Sequence, residues 1–202
     1  MIIRKQYKFE SAHIVRNCSS QRCSRNIHGH SYEVEVMFEA SKLDAGGMVL
    51  DFGLTKDLIG SFIDGFDHCI QAWNKDDQLT KVAKETSERY ILMPINPSAE
   101  NYALMFLYVA DKILKATELN NGESEDIKVS SVRVHETRTG YAEAFRSDLQ
   151  MVNFKLDDIE ISEQVQEEYK YKDMWVKLKE FYNNTNDTKP FKNPVVEHYV
   201  LN

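Results

Sequence analysis

The chain has 202 residues, 42% hydrophobic and 28% charged, with only 8 glycines and 4 prolines; it can bury one full core plus an appendage and is not of disordered composition. Its formal net charge of −7 excludes broad electrostatic binding to nucleic acid, which needs a basic surface to displace counterions, but not a local pocket for a phosphorylated small molecule. Met1-Ile2-Ile3-Arg4-Lys5-Gln6 turns polar at once, no apolar run is long enough to span a bilayer, and three scattered cysteines make no disulfide framework, so the expectation is a soluble protein of the reducing cytoplasm with no membrane partner.

In chain order, residues 2 to 13 read as a strand with Ile3, Tyr7, Phe9 and His13 on one face. Residues 14 to 27, rich in Ser, Asn, Arg and Cys, read as a loop. A second strand runs from 28 to about 40, because Ser31-Tyr32-Glu33-Val34-Glu35-Val36-Met37-Phe38-Glu39 alternates strictly. That alternation puts His28 and His30 on the face of Val34, Val36 and Phe38, the inner one. Lys42 to Gly47 is a turn, and Leu54, Leu58, Ile59, Phe62, Ile63 and Phe66 form an amphipathic helical stripe. Residues 71 to 96 are charged and irregular and read as a long loop with at most one helical turn. Asn96-Pro97-Ser98-Ala99-Glu100 opens a helix whose stripe continues to about 118. Residues 127 to 136 read as a strand with Ile127 and Val129 on one side and Val132 and Val134 on the other, and 139 to 145 as its hairpin partner. This order predicts an α+β fold, helices on one face of an antiparallel sheet. Beyond 147, Ile161, Val165, Tyr169, Trp175, Leu178 and Tyr182 suggest one further helix; 183 to 194 reads as loop, and the chain ends on the apolar 195 to 201.

If the first two strands pair antiparallel, His13 lies beside His28 and His30. One such histidine is more often a polar residue at a strand end than a ligand. Three of the chain's six, sharing the parity of the core, favour a metal. Three neutral imidazoles are a ligand set for catalytic Zn2+, with a fourth position open. The rival is a closed structural site of Cys18, Cys23, His28 and His30, which leaves the inward His13 unexplained. Cys23, in a polar loop beside a cation, has the setting of a base or nucleophile, though a thiol without a role is equally compatible with the sequence. Asp67-His68 has the composition of a carboxylate orienting an imidazole, although adjacent residues in a strand or helix diverge. Glu136 by itself reads as a solvated strand-end glutamate.

The motifs Phe9-Glu10-Ser11-Ala12-His13, Cys23 ahead of His28-Gly29-His30-Ser31-Tyr32, and Gly47-Met48-Val49-Leu50-Asp51-Phe52 are followed by Phe66-Asp67-His68, Pro97-Ser98-Ala99-Glu100-Asn101 and Val134-His135-Glu136-Thr137. As a set, in this order over residues 1 to about 147, they resemble the 6-pyruvoyl-tetrahydropterin synthase and 6-carboxy-tetrahydropterin synthase family. The resemblance implies the tunnelling fold: an antiparallel four-stranded sheet with two helices on one face in a catalytic domain of residues 1–147. Residues 148–202 would be a partly helical C-terminal extension packing on that core. It further implies that His13, His28 and His30 bind Zn2+, that Cys23 is the thiolate base, and that Asp67 with His68 relays protons. Glu136 and Ser98 would bind the substrate, Glu136 by accepting two parallel hydrogen bonds from the guanidine-like edge of a pterin. The implied substrate is 7,8-dihydroneopterin triphosphate. The carboxy branch, which releases 6-carboxytetrahydropterin, acetaldehyde and triphosphate on the way to queuosine, is preferred here to the pyruvoyl branch. The family's homohexamers, with active sites at subunit interfaces, are implied as well. Outside the family, the competing readings are a zinc hydratase or hydrolase and a zinc-stabilised binding module without catalysis. Four residues separate Cys23 from His28, a spacing between those of the family's bacterial and animal members.

Overall fold

A computed structural model describes residues 1–184 and 188–193. Strand β1 (Ile2–His13) leads through a short helix α1 (Gln21–Arg25) to strand β2 (His28–Glu39). The two strands pair antiparallel along their whole length, from Ile2 opposite Glu39 to His13 opposite His28. Tyr32, Val34, Val36 and Phe38 are all buried, so the predicted inner face of β2 is the observed one. A helical run in three segments follows: α2 (Phe52–Thr55), a π-helical turn (Lys56–Gly60) and α3 (Ser61–Asp64). Asp51 caps it, accepting a hydrogen bond from the Gly53 amide, and Leu58, Ile59, Phe62 and Ile63 are its buried stripe.

Residues 71–96 differ from the expected loop. They contribute to β3 (Cys69–Trp73), form α4 (Asp77–Thr86) and supply β4 (Tyr90–Met93). The two strands are short and β4 is apolar throughout, as strands buried on both faces are, so no alternation marks them. In α4 only Leu79 and Ala83 are buried, too few for a visible helical stripe. Alternation then divides two cores: Ile91 and Met93 join the main cluster, while Leu92 packs with Ile14, Ala72 and Leu79 in a second, smaller one.

Helix α5 (Ala99–Lys115) starts at a Ser98 cap that accepts from the Asn101 amide, and it buries Tyr102, Phe106, Leu107, Ala110 and Ile113. It ends three residues before the predicted 118, where Thr117 and Glu118 form the short strand β5. Strand β6 (Lys128–Thr137) and strand β7 (Gly140–Phe145) make the predicted hairpin. The predicted split of valines across β6 is not seen. The register against β2 shifts between Phe38–Val129 and Met37–Ser131, so Ser130 is an extra, bulged residue that resets the parity. Val129, Val132 and Val134 are consequently all at 0% exposure.

After residue 147 come β8 (Glu160–Ile161), α6 (Glu163–Glu167), α7 (Met174–Asn183) and β9 (Phe191–Lys192). The single helix expected here is two, broken around Asp173, whose φ of 59° is left-handed. Of the loop expected over 183–194, residues 185–187 and 194 lie outside the described residues, as does the apolar 195–201.

The main sheet has seven strands in the order β7-β6-β2-β1-β3-β4-β8. Its first four, a meander in space, are the predicted antiparallel four-stranded sheet. The correction is on the other side, where β3 joins β1 in parallel, β4 joins β3 in parallel, and β8 closes the edge antiparallel. These pairings join residues far apart in sequence, which local pattern cannot register. Helix α5 packs on β6 and β7 and α3 on β1. Val165, Met174, Trp175, Leu178 and Phe191 share one continuous core with Phe9, Val34 and Phe106.

Candidate active site

Strand register builds the first part of the site. His13 lies directly opposite His28, and Ser11 opposite His30. The ring centroids of His13, His28 and His30 are 4.5 to 5.3 Å apart, and one ligand atom from each falls within 4.8 Å of the other two. Gly29 makes the approach possible: a Cβ there would stand 2.8 Å from the Ser11 carbonyl oxygen.

Two of the imidazoles are oriented by carbonyls. His13 Nδ1 is 2.6 Å from the Pro97 oxygen and His28 Nδ1 is 3.0 Å from the Asn26 oxygen. A carbonyl only accepts, so each Nδ1 carries the proton and each Nε2 keeps its lone pair for a ligand. Burial pushes the pKa of His13 down to about 4, against the opposing effect of the Pro97 hydrogen bond, and burial also lowers that of His30. Both are therefore neutral near pH 7, the form that ligates metals. Three imidazoles, two of them with pinned tautomers, fit a zinc site of three protein ligands and an open fourth position. Among the described residues neither Cys18 nor Cys23 belongs to the metal-capable group, and the Cys18 thiol turns instead to the Ser20 carbonyl at 3.3 Å. The closed Cys18–Cys23–His28–His30 site is thus not assembled.

Glu136, unremarkable as a single residue of the sequence, borders this group. Its Oε1 lies 3.7 Å from His13 Nε2 and 4.0 Å from His30 Nε2, and accepts a hydrogen bond from the Tyr32 hydroxyl at 3.2 Å. Tyr32 has the parity of the histidines, a signal that could have identified it from sequence. The Pro97 and Asn26 carbonyls could not have been found that way, since backbone atoms leave no residue-type signature. Ser98 follows Pro97 and caps α5, so the helix start and the His13 anchor are one local structure.

The second part of the site is the Asp67–His68 pair. These neighbours do not diverge: His68 Nδ1 and Asp67 Oδ2 are 2.6 Å apart. His68 has a left-handed φ of 53°, which folds its ring back onto the preceding carboxylate. The Glu10 peptide of β1 holds the pair. Its amide donates to Asp67 Oδ1 at 2.6 Å, and its carbonyl accepts from the His68 amide at 2.7 Å. A hollow of about 450 Å3 lined by Glu10, Ser11, Gly29, His30, Ser31 and His68 takes in one histidine of each group. A larger hollow of about 540 Å3 near Tyr169 and Trp175 shares no lining residue with it, and chemistry rather than size selects the smaller.

Cys23, half-buried in α1, is placed through its backbone. Its carbonyl accepts from the Val15 amide at 3.0 Å, while Arg16 donates to the next carbonyl, of Ser24, at 2.9 Å and pairs with Asp76 at the start of α4.

Residues 2–148 match the family model described as 6-pyruvoyl tetrahydropterin synthase. The chain belongs to the 6-pyruvoyl tetrahydropterin synthase family. Among its relatives it is 51% identical over 156 residues to the 6-carboxy-5,6,7,8-tetrahydropterin synthase of Helicobacter pylori strain J99, covering 77% of this chain and 78% of that one. It is 30% identical over 141 residues to the enzyme of the same name from Rickettsia bellii, covering 69% of this chain and 96% of that one. An uncharacterised protein from Wolinella succinogenes shares the fold with a TM-score of 0.59 at 22% identity, covering 72% of this chain and 98% of that one. The 6-pyruvoyl tetrahydropterin synthase of Plasmodium vivax does so with 0.53 at 19%, again covering 72% and 98%. The tunnelling-fold architecture expected of this family is therefore present, extended by the strands β3, β4 and β8.

Proposed function

We propose that this family member is a zinc-dependent 6-carboxy-5,6,7,8-tetrahydropterin synthase. In that reaction 7,8-dihydroneopterin triphosphate and water give 6-carboxytetrahydropterin, acetaldehyde and triphosphate. The carrying observation is the 51% identity over most of the chain to a relative of that name, joined to a cluster of three histidines suited to zinc. His13, His28 and His30 would hold the ion. When bound, zinc supplies a Lewis acid that polarises ligated oxygens and acidifies the C–H bonds beside them.

The remaining roles belong to the protein. Glu136, steadied by Tyr32, would accept paired hydrogen bonds from the pterin edge, fixing the side chain of the substrate over the imidazoles. Cys23 would take a proton as the thiolate base. His68, held through Nδ1 by Asp67, would deliver or accept one at Nε2, which its exposure on the hollow leaves available. Ser98 would add a substrate contact next to the Pro97 carbonyl. Residues 1–147 would form the catalytic domain, with 148–202 as an extension packed on it. Assembly into homohexamers with interface sites accords with the exposed Tyr141 and Phe145 on the edge strand β7. The place in queuosine formation and in the cytoplasm follows from the resemblance. Among the described residues no helix is long and apolar enough to cross a membrane.

Incubating the zinc-loaded protein with dihydroneopterin triphosphate and weighing the products tests this. Carboxytetrahydropterin with acetaldehyde is expected. A pyruvoyl product without acetaldehyde moves the protein to the other branch, and untouched substrate overturns both.

A further inference from the structure

The family match ends at residue 148, yet the chain beyond it is tied to the Asp67–His68 turn through Arg89, a residue within the match. Its Nε donates to the Asp67 carbonyl oxygen at 3.0 Å and its Nη2 to the Gly65 carbonyl at 3.4 Å, while its Nη1 pairs with the Glu168 carboxylate. Glu168 is itself held, accepting from Gln164 Nε2 at 2.7 Å. One planar guanidinium therefore ties two carbonyls of the turn to a carboxylate of the extension. That arrangement uses the fixed fork of donors that an ammonium group lacks.

The same part of the extension also seats on the turn. A Cβ at Gly65 would stand 3.0 Å from Val165 Cγ1 and 3.1 Å from Tyr169 Cε1, so a side chain there would push these neighbours back by a few tenths of an ångström. Nearby, Trp175 stacks on Phe62 with centroids 5.6 Å apart, and Lys170 pairs with Asp57. Residues 165–175 thus cover the helical run that ends in the turn.

The turn has a reason to need such support. A side chain at φ 53° is in a region that L-residues populate at a cost. The Asp67 carbonyl lies in the peptide plane that leads into His68, and rotating that plane changes this φ and with it the aim of the imidazole. Arg89 grips that carbonyl.

We propose that Arg89, clamped by Glu168 of the extension, is a positioning residue for the Asp67–His68 proton relay, so that residues beyond the family region contribute to turnover. The proposal rests on the reading of Asp67–His68 as the relay. Steady-state kinetics with dihydroneopterin triphosphate on Glu168→Gln, Arg89→Lys, Arg89→Ala, Asp67→Asn and the double Arg89→Ala/Asp67→Asn test it, with zinc content measured in parallel. Glu168→Gln and Arg89→Lys are expected to lower kcat about 10-fold and Arg89→Ala about 100-fold, with KM and bound zinc unchanged. The double variant should lose no more than Asp67→Asn alone, because Arg89 acts through the pair. Multiplying losses in the double variant, or losses that follow only the amount of folded protein, overturn the proposal. Should Arg89→Ala fail to fold, Glu168→Gln/Asp67→Asn carries the same comparison, since the Glu168 side chain is 48% exposed and its replacement leaves Arg89 in place. An Asp67→Asn enzyme with undiminished kcat overturns the relay itself, an outcome read without any Arg89 variant.

Discussion

On one side of β1 the sheet is an antiparallel meander, β1 to β2 to β6 to β7; on the other it runs parallel through β3 and β4 and closes on β8. The meander side presents the buried chemistry. His13 is at 0% exposure, its tautomer is pinned by the Pro97 carbonyl, and its partners are placed by strand register. The parallel side presents an exposed pair: the His68 side chain is 76% exposed, and only a turn, the Glu10 peptide and Arg89 orient it. A ligand set can rely on a core for rigidity. A proton relay, the role proposed for this pair, would have to face solvent and substrate, and here hydrogen bonds from distant segments set its aim.

Substitutions on either side of β1 separate the two. His13→Ala should have the largest effect: with one of three ligands gone, zinc content should fall to near zero and turnover by at least about 10³-fold, the equivalent of several kcal/mol of lost charge stabilisation. Full zinc occupancy in that variant, measured by atomic emission, would deny the meander side its role. Trp175→Ala should cost about 3–5 kcal/mol of stability by leaving a cavity against Phe62. Denaturant unfolding should still show one transition, because the extension and the meander share a core; two separate transitions would show that the sides fold independently.

The third effect is on pH. The folded-state pKa of His13 is held at about 4 by burial, below its ordinary 6.5. As pH falls below 6.5 the unfolded chain binds a proton that the folded one refuses, so the metal-free protein should lose stability down to about pH 4, by up to about 3 kcal/mol. His30, lowered by burial as well, adds in the same direction. Unfolding free energies at pH 7 and pH 5 for the parent and for His13→Gln measure the slope, and equal slopes would refute a buried neutral His13. The smallest effect should be that of Asp67→Asn, which removes the carboxylate behind His68: kcat should fall about 10²-fold while zinc content and stability stay put. A loss of zinc there would mean that the two sides are not separable.

Much of the meander side was legible in the sequence because its evidence is periodic. The alternation through Val34, Val36 and Phe38 sets the face of His28 and His30, and the antiparallel reading brings in His13. The valines of β6 show where that logic fails, since one bulged residue, Ser130, reverses the parity without altering the composition. The other side left weaker traces. Strands β3 and β4 are short and α4 buries only two residues, so the region read as loop. The Asp67–His68 contact escapes the sequence reading because adjacent residues of a strand or helix diverge, and nothing in the neighbours marks the left-handed φ of His68. The roles given to Cys23 and Ser98 rest on the resemblance, and the contacts of each are those of a local scaffold: a loop tied by Val15 and Arg16, and a helix cap.

By itself, the sequence determined the α+β class, the strands β1 and β2, the inner face with its three histidines, and the family. All of these are carried by residue type at fixed short spacing, which local sterics and the burial of apolar side chains translate directly into structure. Only the tertiary structure decided the parallel half of the sheet, the carbonyls that orient the imidazoles, and the route from Glu168 through Arg89 to Asp67. Those depend on backbone atoms and on contacts between residues as many as 84 positions apart, whose free energy is realised when the whole core closes and which no local pattern records.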